Sequence, residues 1–373
     1  MNTTFHELKK NLGFGCMRLP MNGEEVDYDE FNEMIDAYLE AGFHYFDTAH
    51  NYIGGKSETA NRECLVKRYP RESYILVNKL THLFFNKEEE IRPVFEEQLK
   101  ACGVEYFDFY LMHAMNWERH ESFKACRAYE VVGELKKEGK VRHMGISFHD
   151  SAEALDKILT DCPQIEVVQL QFNYADYESA RVQSRLCYEV CVKHNKPVLV
   201  MEPVKGGKLV NLPEEALEVF GELNNGSPAS FAIRYAASFD QIVMVLSGMS
   251  NMEQMMDNIS YMKEFKPLTE EEMEAVGKVQ KILREQEQIP CTACRYCMDR
   301  CPKQIAIPEL FEYFNEKKEK DLPKDAARYE ALTTEAGKGK ASECIKCGNC
   351  EEECPQQLKI RELLEKVTQE LEG

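Results

Sequence analysis

His44-Tyr45-Phe46-Asp47-Thr48-Ala49-His50-Asn51-Tyr52, followed by Ile53-Gly54-Gly55-Lys56-Ser57-Glu58, is the stretch on which the reading of this chain turns. The aromatic run 43–46 predicts a buried strand that gives out at Asp47, and Gly54-Gly55 marks a tight loop leading into a helix at Ser57. Two further strand-like runs end the same way: residues 74–78 deliver Lys79, and residues 107–112 deliver His113. Neighbouring parallel strands lie about 4.8 Å apart, so adjacency of the three runs brings Asp47, Tyr52, Lys79 and His113 into one pocket roughly 10 Å across. A phenol, with an ordinary pKa near about 10, donates poorly at neutral pH unless a neighbouring ammonium stabilises the phenolate. Lys79 is placed to do that for Tyr52, Asp47 to hold Lys79 charged, and His113 to donate a hydrogen bond to a substrate oxygen. Taken singly, each has an ordinary reading, as a loop aromatic, a solvated lysine or a core histidine. Their shared position at strand ends is what favours an acid–base site.

Eight strand-like runs can be placed, at 12–19, 43–47, 74–80, 107–113, 141–147, 167–172, 197–202 and 242–247. Intervening segments such as 31–41, 88–102, 128–138 and 179–194 carry apolar residues at helical spacing. Several runs are rich in Val, Ile, Leu and Phe without alternation, as expected for parallel strands covered on both faces. The class is α/β, and the repetition predicts a (β/α)₈ TIM barrel with its active site at the strand C-termini.

Together with Leu12-Gly13-Phe14-Gly15, Gly145-Ile146-Ser147, Val168-Gln169 and the segment from Ser247-Gly248 to Asn258, these strand ends resemble the aldo-keto reductases over roughly residues 10–265. The resemblance implies NAD(P)H-dependent hydride transfer to an aldehyde or ketone, with Tyr52 as general acid, Lys79 as its modulator, Asp47 as the partner of Lys79, and His113 orienting the carbonyl. It also sets the nicotinamide carboxamide against Ser147 and Gln169 and the dinucleotide along 201–207 and 248–258. Met201, Gly206, Gly248, Ser250, Gln254 and Asn258 thereby become candidate cofactor contacts. The chain departs from the family where NADP-preferring members often carry Lys and Arg, since it has Ser250 and Gln254, and residue 148, commonly Asn, is Phe148. A 2′-phosphate loses charge-assisted contacts there, so NADH and NADPH both stay open; Lys205 and Lys208 offer compensation. Ser250 and Gln254 can equally be read as a loop and a helix surface.

Loops after barrel strands set specificity, which makes Trp117, Tyr174 and Tyr177 candidate pocket walls; the alternative is aromatic packing under a loop. Seven of the 15 cysteines fall in this part of the chain without motif spacing and read as buried thiols.

With 373 residues the chain exceeds the roughly 250–300 at which a single core stops growing, so a barrel with a smaller companion is expected. The expected boundaries are 1–268 for the barrel, 269–289 for a connecting helix opened by Thr269-Glu270-Glu271-Glu272, and 290–373 for the second domain. A net charge of −19 argues against nucleic acid or an anionic membrane surface as a partner. No apolar h-region opens the chain and no stretch approaches the ~20 apolar residues of a membrane span. A cytoplasmic setting is expected, in which grouped cysteines mean metal binding rather than disulfides.

The grouping is explicit at Cys291-Thr292-Ala293-Cys294-Arg295-Tyr296-Cys297-Met298-Asp299-Arg300-Cys301-Pro302. It is repeated at Cys344-Ile345-Lys346-Cys347-Gly348-Asn349-Cys350-Glu351-Glu352-Glu353-Cys354-Pro355. This is the ferredoxin spacing, in which three thiolates of one run grip one [4Fe-4S] cluster and the fourth serves the other. Cys291, Cys294, Cys297 and Cys354 are thus assigned to one cluster, and Cys344, Cys347, Cys350 and Cys301 to the second. Zinc is the alternative, but structural zinc usually takes two widely separated pairs. The stretch 302–343, with a helical pattern over 308–320 and a loop at 337–340, exceeds what a minimal ferredoxin needs. A mainly helical ferredoxin-like dicluster domain, closed by an amphipathic helix at 358–371, is expected. The whole chain is identified as a member of an iron–sulfur subgroup of the aldo-keto reductases.

Three functions follow. The first is reduction of a small-molecule carbonyl, or oxidation of the alcohol, with the clusters serving electron transfer or structure. Nicotinamide moves two electrons and a cluster one, so coupling them calls for a mediator; the second is therefore a flavin-mediated electron-transfer oxidoreductase, with FMN bound here or on a redox partner protein. The third is a dinucleotide-binding redox-sensing module.

Overall fold

The computed structural model describes residues 5–223, 226–285, 288–319 and 322–373. Eight parallel strands close into a barrel: β1 (Leu12–Gly15), β2 (Tyr45–Asp47), β3 (Ile75–Leu80), β4 (Phe107–Met115), β5 (Val141–Phe148), β6 (Val167–Gln171), β7 (Val198–Met201) and β8 (Ile242–Ser247), with β8 pairing back onto β1. The first strand is shorter than the run 12–19 suggests: after Gly15, which pairs with Asp47, the Cys16 amide makes a last bond to the Asp47 carbonyl at 2.8 Å. A two-stranded hairpin, Met21–Asn22 with Glu25–Val26, follows in that loop.

Alternate residues of each strand face inward. Tyr45, Val77, Leu111, Val167, Leu199 and Leu246 belong to one buried interior cluster. Gly145 completes this layer, since a Cβ there would lie 2.5 Å from Val167 Cγ1 and 2.7 Å from Leu111 Cδ2. Two positions further along each strand the inward residues are Asp47, Lys79, His113, Ser147, Gln169, Met201 and Gly248, with Gly15 on β1. The apolar layer is the floor on which that polar ring stands.

Helices sheath the barrel, among them Tyr28–Glu40, Glu88–Cys102, Ala128–Lys137, Ser184–Lys193 and Met252–Met262. Helix Glu270–Glu285 opens with the expected reciprocal cap, Thr269 N to Glu272 at 2.7 Å and Glu272 N to Thr269 Oγ1 at 3.2 Å. Tyr174 and Tyr177, read as candidate pocket walls, lie instead in an aromatic cluster with Tyr235, and Tyr177 also meets Phe172 and Phe239. Trp117, half-exposed, lies against His120 and Lys157.

The chain divides into two units. The first runs to Val204 and resumes over Phe220–Val276, and the second comprises Lys205–Val219 and Gly277–Gly373. The second has a core of its own, with Ile305, Leu310, Phe311, Tyr313 and Tyr329 buried against the helix Ile360–Leu371. That helix turns Ile360, Leu364, Val367 and Leu371 inward at helical spacing. Its neighbour spans Ile307–Glu319; Lys320, where the sequence pattern ends, lies outside the described residues. Among the described residues no helix is long and apolar enough to cross a membrane.

Candidate active site and cluster-binding cysteines

In the barrel unit, β2, β3 and β4 lie side by side, with Asp47 opposite Val77 and Lys79 opposite Leu111. Asp47, Lys79 and His113 therefore meet on adjacent strands. Lys79, with no exposed surface, directs its ammonium at Asp47 Oδ1, 2.5 Å away, and at the Thr48 carbonyl at 2.8 Å. Burial pulls this lysine below its usual range, and Asp47 opposes that pull. Tyr52 arrives from the loop after β2. Ile53, Gly54 and Gly55 are left-handed in succession (φ 52°, 61° and 86°), a path that the two glycines follow without the Cβ penalty. The Tyr52 ring stands 4.8 Å from the Lys79 ammonium and edge-on to His113, with ring centroids 5.9 Å apart. Burial, then the nearby Lys79, pushes His113 well below the ordinary histidine value, so its imidazole is neutral. All four residues expected at the strand ends lie together at this end of the barrel.

Ser147 and Gln169 are direct partners across β5 and β6. Ser147 Oγ lies 4.0 Å from the Met201 sulfur, and the Gln169 amide donates to Asp47 Oδ2 at 3.1 Å. Ser250 and Gln254 meet at the N-terminus of helix Met252–Met262, where Gln254 Oε1 accepts from the Ser250 amide at 2.8 Å and Asn251 caps the Gln254 amide. Asn258 is buried with both polar atoms engaged, by Ser247 Oγ at 2.6 Å and by the Tyr261 hydroxyl. Gly206 belongs to the segment grouped with the second unit. There its φ is +67°, and a Cβ would lie 2.6 Å from the Thr292 carbonyl oxygen.

Several side chains at this end of the barrel leave no mark in the strand-end pattern. One rung above the ring, at the same period of two, Thr81 Oγ1 meets His113 Nδ1 at 2.8 Å, and His149 Nδ1 meets Gln171 Oε1 at 3.1 Å. Gln171 is 5 % exposed and its Nε2 has no hydrogen-bond partner among the described residues. Such an orphaned buried donor fits a ligand oxygen. Glu58, 1 % exposed, accepts from Asn78 and pairs with His50 Nδ1 at 2.7 Å. Arg18 lies beside Gly248, and Glu30 accepts from the Met252 amide at 3.1 Å. Continuing each strand's alternation by two residues would have found Thr81, His149 and Gln171; Glu30 and Arg18 come from distant segments and leave no local signal.

In the second unit the eight motif cysteines divide between two cavities of about 330 Å³ each. One is lined by Cys291, Cys294, Cys297 and Cys354, the other by Cys301, Cys344, Cys347 and Cys350. In each run the fourth cysteine crosses to the other's cavity. The backbone repeats as well: Ala293 and Lys346, Arg295 and Gly348, and Gln304 and Gln357 are left-handed pairs. Members of each pair stand 53 positions apart, as do Cys291 and Cys344. Left-handed residues amid right-handed ones turn successive N–H groups into a concavity suited to an anion, which fits thiolate-bound iron–sulfur clusters.

Residues 11–281 match the family model described as "Aldo/keto reductase family", and residues 290–359 match the "4Fe-4S dicluster domain". Among curated proteins the chain is 25% identical to the "9,11-endoperoxide prostaglandin H2 reductase" of Trypanosoma cruzi, over 72% of this chain and 93% of that protein. It is 24% identical to the "NADH-specific methylglyoxal reductase" of Escherichia coli, over 61% and 81%. Among solved structures, the holo form of an aldo-keto reductase from Bacillus halodurans superposes with a TM-score of 0.58 at 25% identity, covering 72% of this chain and 91% of that one.

Proposed function

Since the chain belongs to the aldo/keto reductase family and carries a 4Fe-4S dicluster domain at its C-terminal end, we propose that it reduces an aldehyde or ketone at the expense of a nicotinamide dinucleotide. The observation that carries this reading is the grouping of Asp47, Lys79, Tyr52 and His113 at one end of the barrel. The dinucleotide, when bound, supplies the hydride. Tyr52 gives its phenolic proton to the carbonyl oxygen as that oxygen gains charge. Lys79, kept protonated by Asp47 against its burial, stabilises the phenolate left behind. His113, neutral, donates to the same oxygen and fixes the carbonyl's orientation.

Ser147, Gln169 and Met201 line the bed for the nicotinamide. Gln169 gives one N–H to Asp47 and keeps its oxygen to accept from a carboxamide N–H, and Gln171 Nε2 is a donor available for a ligand oxygen. Gly248, Ser250, Gln254 and Asn258 follow the rest of the dinucleotide. At the helix end where a 2′-phosphate is expected, the Ser250 amide is taken by Gln254 and the Met252 amide by the carboxylate of Glu30. A phosphate placed there meets a negative charge, which favours NADH; the name of the Escherichia coli relative agrees. The cysteines hold two [4Fe-4S] clusters in the crossed sets given above, and those clusters supply one-electron transfer or rigidity.

The test is carbonyl-dependent oxidation of NADH and NADPH by anaerobically purified protein. Turnover with NADH preferred, abolished in Tyr52→Phe while dinucleotide binding persists, is the expected result. Unimpaired turnover in Tyr52→Phe would remove the assignment.

A further inference from the structure

From the hydrogen-bond accounting around His113 we infer that Thr81 is a positioning residue: its hydroxyl donates to Nδ1, fixing the ring as the tautomer whose Nε2–H faces the substrate. The inference rests on the carbonyl-reducing reading for its consequence, and on geometry alone for its content.

Thr81 follows Lys79 by two residues and lies in the loop leaving β3, on the side of the strand that carries Lys79. It is 2 % exposed and His113 4 %. Their 2.8 Å contact is the one hydrogen bond of the Thr81 hydroxyl among the described residues. A neutral imidazole has a single N–H. Were it at Nδ1, Thr81 Oγ1 would accept it, and the threonine's own proton would be left without an acceptor among the described residues, on a side chain only 2 % exposed. The opposite arrangement satisfies both groups. Oγ–H donates to the Nδ1 lone pair, and the remaining N–H sits at Nε2.

Neutrality comes from the surroundings. The ring is buried, and the strongest charged influences on it come from Lys79, His149, His82 and Arg119, all of which disfavour an imidazolium. Asp47, a carboxylate of the site, is already bound to Lys79. An imidazolium is therefore disfavoured, and the one way to hold a donor toward the substrate is to select the tautomer. A side chain at position 81 that accepts a hydrogen bond but cannot donate one, or does neither, leaves Nε2 free to present a lone pair to the carbonyl oxygen, which repels it.

The experiment uses the full chain with its clusters, labelled with ¹⁵N-histidine, and reads the tautomer of His113 from two-bond ¹H–¹⁵N correlations. The resonance is identified by its loss in His113→Gln. The Nε2–H pattern is expected in the wild type and its loss in Thr81→Val; an Nδ1–H pattern in the wild type overturns the inference. Kinetically, Thr81→Val should lower kcat by about 100-fold, the scale of a lost donor to a developing oxyanion. Dinucleotide affinity should be unchanged, and Thr81→Ser should restore most of the rate. Undiminished kcat in Thr81→Val also overturns it. Should Thr81→Val not fold, the wild-type spectrum alone decides. A wild-type protein that turns over no carbonyl would remove the proposed activity, while the spectrum would still decide the tautomer.

Discussion

Lys79→Met isolates the electrostatic half of the proposed chemistry. The substitution keeps the length and much of the volume of a fully buried side chain and deletes one charge. With the ammonium 4.8 Å from the Tyr52 ring and an effective dielectric constant of about 20, its attraction for a phenolate centred on that ring is about 3.5 kcal/mol. If that attraction is expressed wholly in the proton-transfer transition state, its loss slows the chemical step on the order of 300-fold. The variant also strands Asp47, 3 % exposed, with the Gln169 amide at 3.1 Å as its remaining side-chain partner. Breaking a buried pair on one side costs about 3–5 kcal/mol of stability, so a low rate by itself does not separate slow chemistry from poor folding. Asp47→Asn combined with Lys79→Met removes both charges and should recover most of the lost stability without recovering the rate. The assay is kcat for carbonyl reduction with dinucleotide deuterated at C4, an isotope effect confirming that chemistry limits turnover, beside denaturant midpoints for all three proteins. A Lys79→Met enzyme within about tenfold of wild-type kcat, with the isotope effect fully expressed, refutes the modulator role.

The hydrogen bond that the His50 imidazolium donates to Glu58 raises its pKa above the ordinary histidine value against the opposing effect of burial. Its contribution to stability is therefore complete below the unfolded value of about 6.5 and is lost as pH rises through the higher folded value. The stability advantage of wild type over Glu58→Gln should accordingly shrink as pH rises above about 6.5, and a denaturant-midpoint gap that is flat or widens with pH would contradict the pairing. For the clusters, Cys294→Ala with Cys354→Ala touches one crossed set and should leave about half of the iron. Cys347→Ala with Cys354→Ala touches both and should leave almost none. The reverse pattern, about half of the iron in Cys347→Ala with Cys354→Ala and almost none in Cys294→Ala with Cys354→Ala, would mean that the fourth cysteine does not cross.

What could be read from the sequence was what is periodic. Asp47, Lys79 and His113 announce themselves because each ends a run that alternates, or is apolar throughout, and because a barrel strand stops where its chemistry begins. The cysteine runs are legible for the same reason: their spacing is a local ruler, and the left-handed residues at 293 and 346 and at 295 and 348 repeat with it. Contacts made across the barrel were not legible. The carboxylate of Glu30 reaches an amide 222 positions away, and Gln169 crosses to Asp47 over 122. For Tyr174 and Tyr177 the sequence left two readings open, because an aromatic after a strand looks the same whether it faces a pocket or, as here, packs with Tyr235. The strand ends at Gly15 and Met115 depend on hydrogen bonds to neighbouring strands, which one strand's own residues do not disclose.

The inward ring divides its labour by strand. β2, β3 and β4 carry the ionisable groups Asp47, Lys79 and His113; β5 and β6 carry the neutral polar pair Ser147 and Gln169; β7 carries Met201. The remaining two strands contribute glycines, Gly15 on β1 and Gly248 just past β8, and a Cβ at Gly15 would already lie 3.4 Å from the Ser247 carbonyl. One side of the ring is therefore bare backbone, and it adjoins the charged side, with Gly15 paired directly to Asp47. Under the proposed reading, a flat, extended dinucleotide lies where side chains are missing, with Ser147, Gln169 and Gln171 on its flank. The cost of burying Lys79 and Asp47 is tolerable because each is the other's partner and because Thr48 and Gln169 complete their hydrogen bonds. The same closure makes the pair useful. An ammonium held in place without bulk water keeps its full field on the neighbouring phenol, so the arrangement that satisfies the fold's buried charges also supplies the polarisation the proposed reaction requires.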